Sequence, residues 1–262
     1  MTARCTVLMY HATQRSSAEL GGADAHYAVG LDVFEQHLDC IQQAGKTARA
    51  VERIPAALDK GENPVGMTFD DGHVTNLQAA QALAARGWCG TFFVNPGTVG
   101  TPHYLSWDQL REMVRLGMSI QSHAQFHRYQ DELPYEEQWD DLSRSKAEIE
   151  HALDHAVTVF APPGGRTSEH TRTLAQKAGY AWVSTSRVGL WHVGRDSVWD
   201  IPRFAVLAST PLPQLQAWIN QAPLEIGKQV WRYRVLRWAK NLLGNGGYER
   251  LRSAVLGSPK DY

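Results

Sequence analysis

The stretch "NPVGMTFDDGH", Asn63–His73, decides how this chain reads. Val65–Phe69 is an apolar run of strand length, and it ends in two adjacent carboxylates, Asp70 and Asp71, ahead of Gly72. Neighbouring aspartates repel one another and gain nothing as core residues. In a strand-terminal Asp-Asp-Gly the two side chains leave opposite sides of the chain, so one can meet a metal while the other stays free as a base. A solvated turn is the plain alternative for the tripeptide taken alone.

Outward from that strand, apolar segments alternate with helical patterns. Upstream, "TVLMY" (Thr6–Tyr10) precedes "DVFEQHLDCIQQAG", where Phe34, Leu38 and Ile41 share a helical face and Gly45 stops it. Downstream come the helix "NLQAAQALAARG", the strand "TFFV" and the helix "SWDQLREMVRLG", with Ser106 and Gln109 at capping-box spacing. "MSIQS", a long polar helix over 134–155, "VTVFA", a helix over 168–178, "YAWVS" and "WDIPRFAV" complete the alternation. At least six strand candidates with short loops predict a mainly parallel sheet covered by helices. No Gly-x-Gly-x-x-Gly loop follows any of them, which favours a barrel-like α/β fold over an open dinucleotide-binding sheet. The barrel is expected over residues 1–210 and a C-terminal helical extension over 211–262, although "PQLQAWINQA" still has the look of a barrel helix.

The 262 residues, 43% hydrophobic, suffice for one full core plus an extension. A formal net charge of −1 gives no overall electrostatic case for nucleic acid. Cys5, Cys40 and Cys89 are odd in number and far apart, which predicts buried thiols rather than disulfides or a thiolate zinc site. The apolar run in "MTARCTVLMYH" is too short for a signal peptide, and no run approaches a membrane span, so the expected location is cytoplasmic.

In parallel barrels, chemistry collects at the C-terminal ends of the strands. Those ends are polar here: His11 after the first strand, Asp70 and Asp71 after the second, His123 with His127 after "MSIQS", and Pro163 and Gly164 in "APPGG". His123 and His127 lie at i, i+4, a spacing that suits two imidazoles on one metal if the chain turns helically there. Alone the pair reads equally well as surface histidines, and "AQF" lacks the glutamate of the zincin motif. Two His and one carboxylate form a three-ligand set that leaves a coordination position open, as catalytic sites do. Tyr104, Trp107, Trp182, Trp191 and Trp199 are candidate sugar-stacking rings if exposed on the rim, and core residues otherwise. His73 and His192 have no spacing argument.

"MTFDDGH" and "IQSHAQFH", with "SWDQLREMVRLG" and "VFAPPGG", resemble the polysaccharide deacetylase family (the nodulation-type deacetylase domain, carbohydrate esterase family 4) from about Val7 to Val206. The resemblance implies a distorted (β/α) barrel, with Asp71, His123 and His127 as metal ligands and Asp70 as catalytic base. It also implies a divalent metal, Zn²⁺ ahead of Co²⁺, Ni²⁺ or Mn²⁺, and removal of N-acetyl groups from an amino sugar in a polysaccharide or a lipid-linked precursor. The sequence departs from the commonest pattern at three places. Ala161 stands where many members have an Arg that orients the catalytic Asp, "RFAVLAST" lacks the C-terminal Leu-x-His that supplies the acid, and Arg128 replaces a Pro. "VLMYH" is similar to the poly-N-acetylglucosamine deacetylase-like branch, which implies His11 as acid and Arg203, in "DIPRFAV", as orienter of Asp70. A non-catalytic sugar-binding relative is the alternative that the departures suggest. Pro163, Gly164, Tyr104 and Trp191 are the expected saccharide contacts.

"KQVWRYRVLRWAKNLLGNGGYERLRSAVLG" reads as a helical pair broken at residues 244–247. Its first half carries Lys228, Arg232, Arg234, Arg237 and Lys240, while Trp231, Val235, Trp238 and Leu242 form a stripe at helical spacing. Two readings stay open: a face for a membrane surface or anionic polymer, at the inner side of the membrane if lipid, or a stripe packed on the barrel with the basic residues solvated.

Overall fold

The computed structural model describes residues 3–238 apart from 17, 18, 20 and 22. Lys240, Leu242 and the break at 244–247 lie outside the described residues. Eight strands form one all-parallel sheet: β1 (Val7–Tyr10), β2 (Thr47–Arg49), β3 (Pro64–Phe69), β4 (Thr91–Val94), β5 (Ser119–Ser122), β6 (Val159–Phe160), β7 (Trp182–Val183) and β8 (Phe204–Ala205). The order is β7-β6-β5-β4-β3-β1-β8, with β2 pairing the first half of β3. The sheet curls into a half-barrel that helices surround, the (β/α) barrel expected from the alternation. These helices are α1 (Leu31–Gln43), α2 (Ile54–Asp59), α3 (Asn76–Ala85), α4 (Trp107–Arg115), α5 (Tyr135–Leu153), α6 (Thr171–Lys177) and α7 (Leu212–Ile219).

Strand alternation divides the core into two layers. Leu8, Tyr10, Val65, Met67, Phe69, Phe92 and Phe160 face the helices, and Phe69 stacks flat on Phe92 at 4.4 Å between centroids. Val7, Phe93, Val159 and Ala161 belong to a separate inner cluster with Cys5, Val51 and Ile54. On β3 the same parity turns Gly66, Thr68 and then Asp70 inward. A Cβ on Gly66 would lie 2.9 Å from Val7 Cγ2, so glycine is what lets β1 and β3 close around the lumen.

Local chemistry accounts for the elements. Ser106 accepts from the Gln109 amide at 3.3 Å while Gln109 Oε1 accepts from the Ser106 amide at 2.8 Å, the reciprocal capping box that starts α4. α5 ends at Asp154, whose φ of 48° turns the chain out of the helix. Cys5, Cys40 and Cys89 are buried and unpaired, as expected. The last two strands are shorter than "YAWVS" and "WDIPRFAV" suggest, because Pro202 cannot donate to a ladder and Ile201 makes only an isolated bridge to Ser184. α7 sets Leu215, Trp218 and Ile219 into the main core, so the packed barrel runs past residue 210. Residues 223–238 form a further helix.

Candidate active site

Because all eight strands are parallel, their C-terminal ends form one rim, and the polar residues read from the sequence meet there. Asp70 continues the inward parity of β3 and is buried. Arg203, just before β8, closes on it from across the lumen: Nη1 donates to Oδ1 at 2.6 Å and Nη2 to Oδ2 at 2.9 Å. The guanidinium is fixed in turn by Nε donating to the Thr185 carbonyl at 2.9 Å and Nη1 to Thr68 Oγ1 at 3.2 Å, and it lies over the Phe93 ring. Burial alone would raise the Asp70 pKa, but the Arg203 charge, with smaller contributions from His123 and His11, holds it below the usual carboxylate range.

Asp71 leaves the strand differently. Its φ is 72° and that of Gly72 is 69°, a left-handed pair that Asp tolerates and Gly favours. This turns the Asp71 carboxylate away from Asp70 and toward the end of β5. His123 Nδ1 donates to the Ala161 carbonyl at 2.7 Å, which leaves the Nε2 lone pair facing Asp71. The expected helical turn between His123 and His127 is absent. Ala124 (φ 66°) and His127 (φ 53°) adopt left-handed conformations instead, and Asn95 Nδ2 holds the turn by donating to the carbonyls of His123 and Ala124.

The result is convergence of three donors. Asp71 Oδ1 lies 3.2 Å from Nε2 of both His123 and His127, yet it is buried without a well-directed hydrogen bond. The three ligand atoms lie within 4.8 Å of one another. Burial would raise the Asp71 pKa and the two imidazoles reverse this, keeping it well below the ordinary range. Two imidazole nitrogens and a carboxylate oxygen, aimed at a common point rather than at each other, fit a divalent ion bound with open positions.

His11 follows β1, its carbonyl accepting from Asn76 Nδ2 at 2.5 Å and its ring packed on Tyr27 at 4.4 Å. Its Nδ1 is buried without a hydrogen-bond partner. Burial lowers its pKa, although Asp71 and Asp70 pull the other way. Tyr104 is half-buried near Asp71, where burial and that charge raise its phenol pKa. Pro163 and Gly164 form a tight turn after β6, Gly164 with φ 61°.

Trp191 is a correction. At 1% exposure it packs in the inner cluster against Trp182, in a strand pair with Arg4 and Cys5 at the opposite end of the lumen, so it cannot meet a saccharide. His192 sits at that same far end, paired with Asp196. Trp107 and Trp199 pack against the main core. An exposed ring beside the site is instead Tyr129, next to His127 and within 2.8 Å of where a Gly164 Cβ would stand, with Arg166 over its face. No strand pattern marks Tyr129; its only signal is position two residues after His127.

Residues 57–183 match the family model for polysaccharide deacetylases. The chain is 27% identical over 192 residues to YxkH of Bacillus subtilis (strain 168), which is assigned to the same group; this spans 71% of the chain and 66%, just under two thirds, of that relative. Its fold matches the Streptococcus pyogenes deacetylase PplD, solved in complex with acetate, with TM-score 0.71 and 25% identity over 80% of this chain and 95% of that one. IcaB from Ammonifex degensii superposes with TM-score 0.69 and 27% identity over 82% and 97%. Half-barrel, motif order and family-model match agree: residues 57–183 carry the polysaccharide deacetylase family's model, and the fold is the one that these deacetylases share.

Proposed function

We propose that the protein is a metal-dependent deacetylase that removes N-acetyl groups from an amino sugar within a polysaccharide or lipid-linked saccharide. The observation that carries this is the division of labour between adjacent residues: Asp70 clamped by Arg203, Asp71 turned toward His123 and His127. Asp71, His123 and His127 would hold the ion. When bound, a divalent metal such as Zn²⁺ supplies Lewis acidity and makes water a competent nucleophile near neutral pH.

Asp70 takes a proton from the attacking water. Its low pKa keeps it ionised for that task, and the two-point contact from Arg203 keeps it aimed. An amide nitrogen is a poor leaving group until protonated, and His11 gives up that proton. Burial on balance holds the His11 pKa below the ordinary histidine range, which makes its imidazolium a ready proton donor, while the Asp71 and Asp70 charges oppose that shift. Tyr104, Pro163, Gly164 and Tyr129 border the saccharide.

The non-catalytic alternative rests on Ala161 and on the missing C-terminal histidine. The Arg203 contact with Asp70 supports the catalytic reading, since it supplies from β8 what Ala161 lacks on β6. Acetate release from chito-oligosaccharides, abolished by chelator and restored by metal, tests the proposal. Metal-loaded protein that binds such saccharides without releasing acetate from them or from an activated acetyl ester favours the alternative.

A further inference from the structure

The helix over residues 223–238 has two faces. Ile226 packs on the barrel, and Gln221, just before the helix, donates to the Arg4 carbonyl at 2.9 Å, which ties its start to the end of the barrel opposite the rim. Leu224, Trp231, Val235 and Trp238 recur at steps of seven, four and three, so at 3.6 residues per turn they share one face. That face points outward: Leu224 is 81% exposed, Trp231 67% and Trp238 66%. The reading in which the stripe packs on the barrel is therefore overturned for these residues.

What flanks the stripe indicates what it meets. Lys228, Arg232, Arg234 and Arg237 lie on the same helix, and Glu225, its only acid, is held by Lys228 at 2.6 Å. Beside the helix, a cleft of about 910 Å³ adds Arg4 and Arg195 to Arg234 and Arg237. Exposed indole rings amid guanidinium groups match an anionic lipid interface, where rings sit at headgroup level and cations meet phosphates. A neutral apolar partner would leave the cations unused, and a hydrophilic polyanion would leave four large apolar side chains unused.

We propose that the 223–238 helix docks this protein peripherally on an anionic lipid surface, with the Leu224–Trp231–Val235–Trp238 face entering the headgroup layer. The full chain should co-sediment with vesicles of phosphatidylcholine plus phosphatidylglycerol, far less with pure phosphatidylcholine, and lose binding as salt rises. Arg232→Gln with Arg234→Gln should weaken binding roughly 30-fold. Trp231→Ser with Trp238→Ser should reduce it on both vesicle types, and unchanged thermal unfolding of each variant keeps the result specific to the surface. Equal binding to both vesicles, or insensitivity to either pair of substitutions, overturns the proposal. So does failure of the full chain to bind, as would follow if residues 239–262 occupy the stripe, or a lipid-free dimer that Trp231→Ser dissolves.

Discussion

Arg203 grips Asp70 with two parallel hydrogen bonds, 2.6 and 2.9 Å, between residues 133 positions apart in the chain. Both side chains are almost wholly buried, so neither charge is tolerable without the other. Arg203→Ala should cost about 3–5 kcal/mol of stability, because it strands a buried carboxylate. Arg203→Lys keeps the charge but loses the fork, and should slow amide and activated ester substrates alike with metal content unchanged. Equal kcat for Arg203→Lys and wild type would remove Arg203 from the proposed machinery.

His11 should behave differently from Arg203. If it protonates the departing amine, His11→Ala loses roughly 10²–10⁴-fold in kcat on the amide. An activated ester, whose leaving group needs no proton, should be far less affected. Parallel losses on both substrates would make His11 a packing partner of Tyr27 and nothing more.

A buried histidine remote from the site sets an acid limit on stability. His37 lies in the core with Nδ1 3.0 Å from the Tyr10 hydroxyl, and burial pushes its pKa down to about 4. Below its ordinary value the unfolded chain binds a proton that the folded chain refuses, so stability rises with pH across the window. The contribution is complete above about pH 6.5 and lost as pH falls toward about 4, amounting to about 3 kcal/mol. Urea unfolding of His37→Gln at neutral pH and at about pH 5 should show an acid loss smaller than wild type by about 2 kcal/mol. An unchanged loss would place the acid sensitivity elsewhere.

Removing residues 228–262 should leave a barrel that unfolds cooperatively, since α7 has already delivered Leu215, Trp218 and Ile219 to the core. Loss of a cooperative urea transition would show that the helix is part of the folding unit.

The strand alternation, the rim residues and the capping box of α4 are legible in the sequence because each rests on local periodicity or spacing. Arg203 could be paired with Asp70 only through family resemblance, as 133 residues separate them. β2 is not legible in the sequence because Thr47–Arg49 is too short and polar to stand out, and its pairing with Pro64–Gly66 is tertiary. The left-handed turn at Ala124 and His127 has no glycine to announce it; it exists because Asn95 holds two carbonyls from a neighbouring strand end. Trp191 misled for the opposite reason. Its composition suits a sugar platform, but a strand pair with Arg4 and Cys5 carries it into the lumen.

The roles of the adjacent aspartates are tested most directly by measuring metal content and acetate release together on Asp70→Asn and Asp71→Asn. Asp70→Asn should retain stoichiometric metal and lose turnover, because the group of side chains placed to hold an ion is Asp71, His123 and His127, without Asp70. Asp71→Asn should lose the metal and turnover together. Retention of metal by Asp71→Asn with its loss from Asp70→Asn, or full acetate release by Asp70→Asn, would contradict the account.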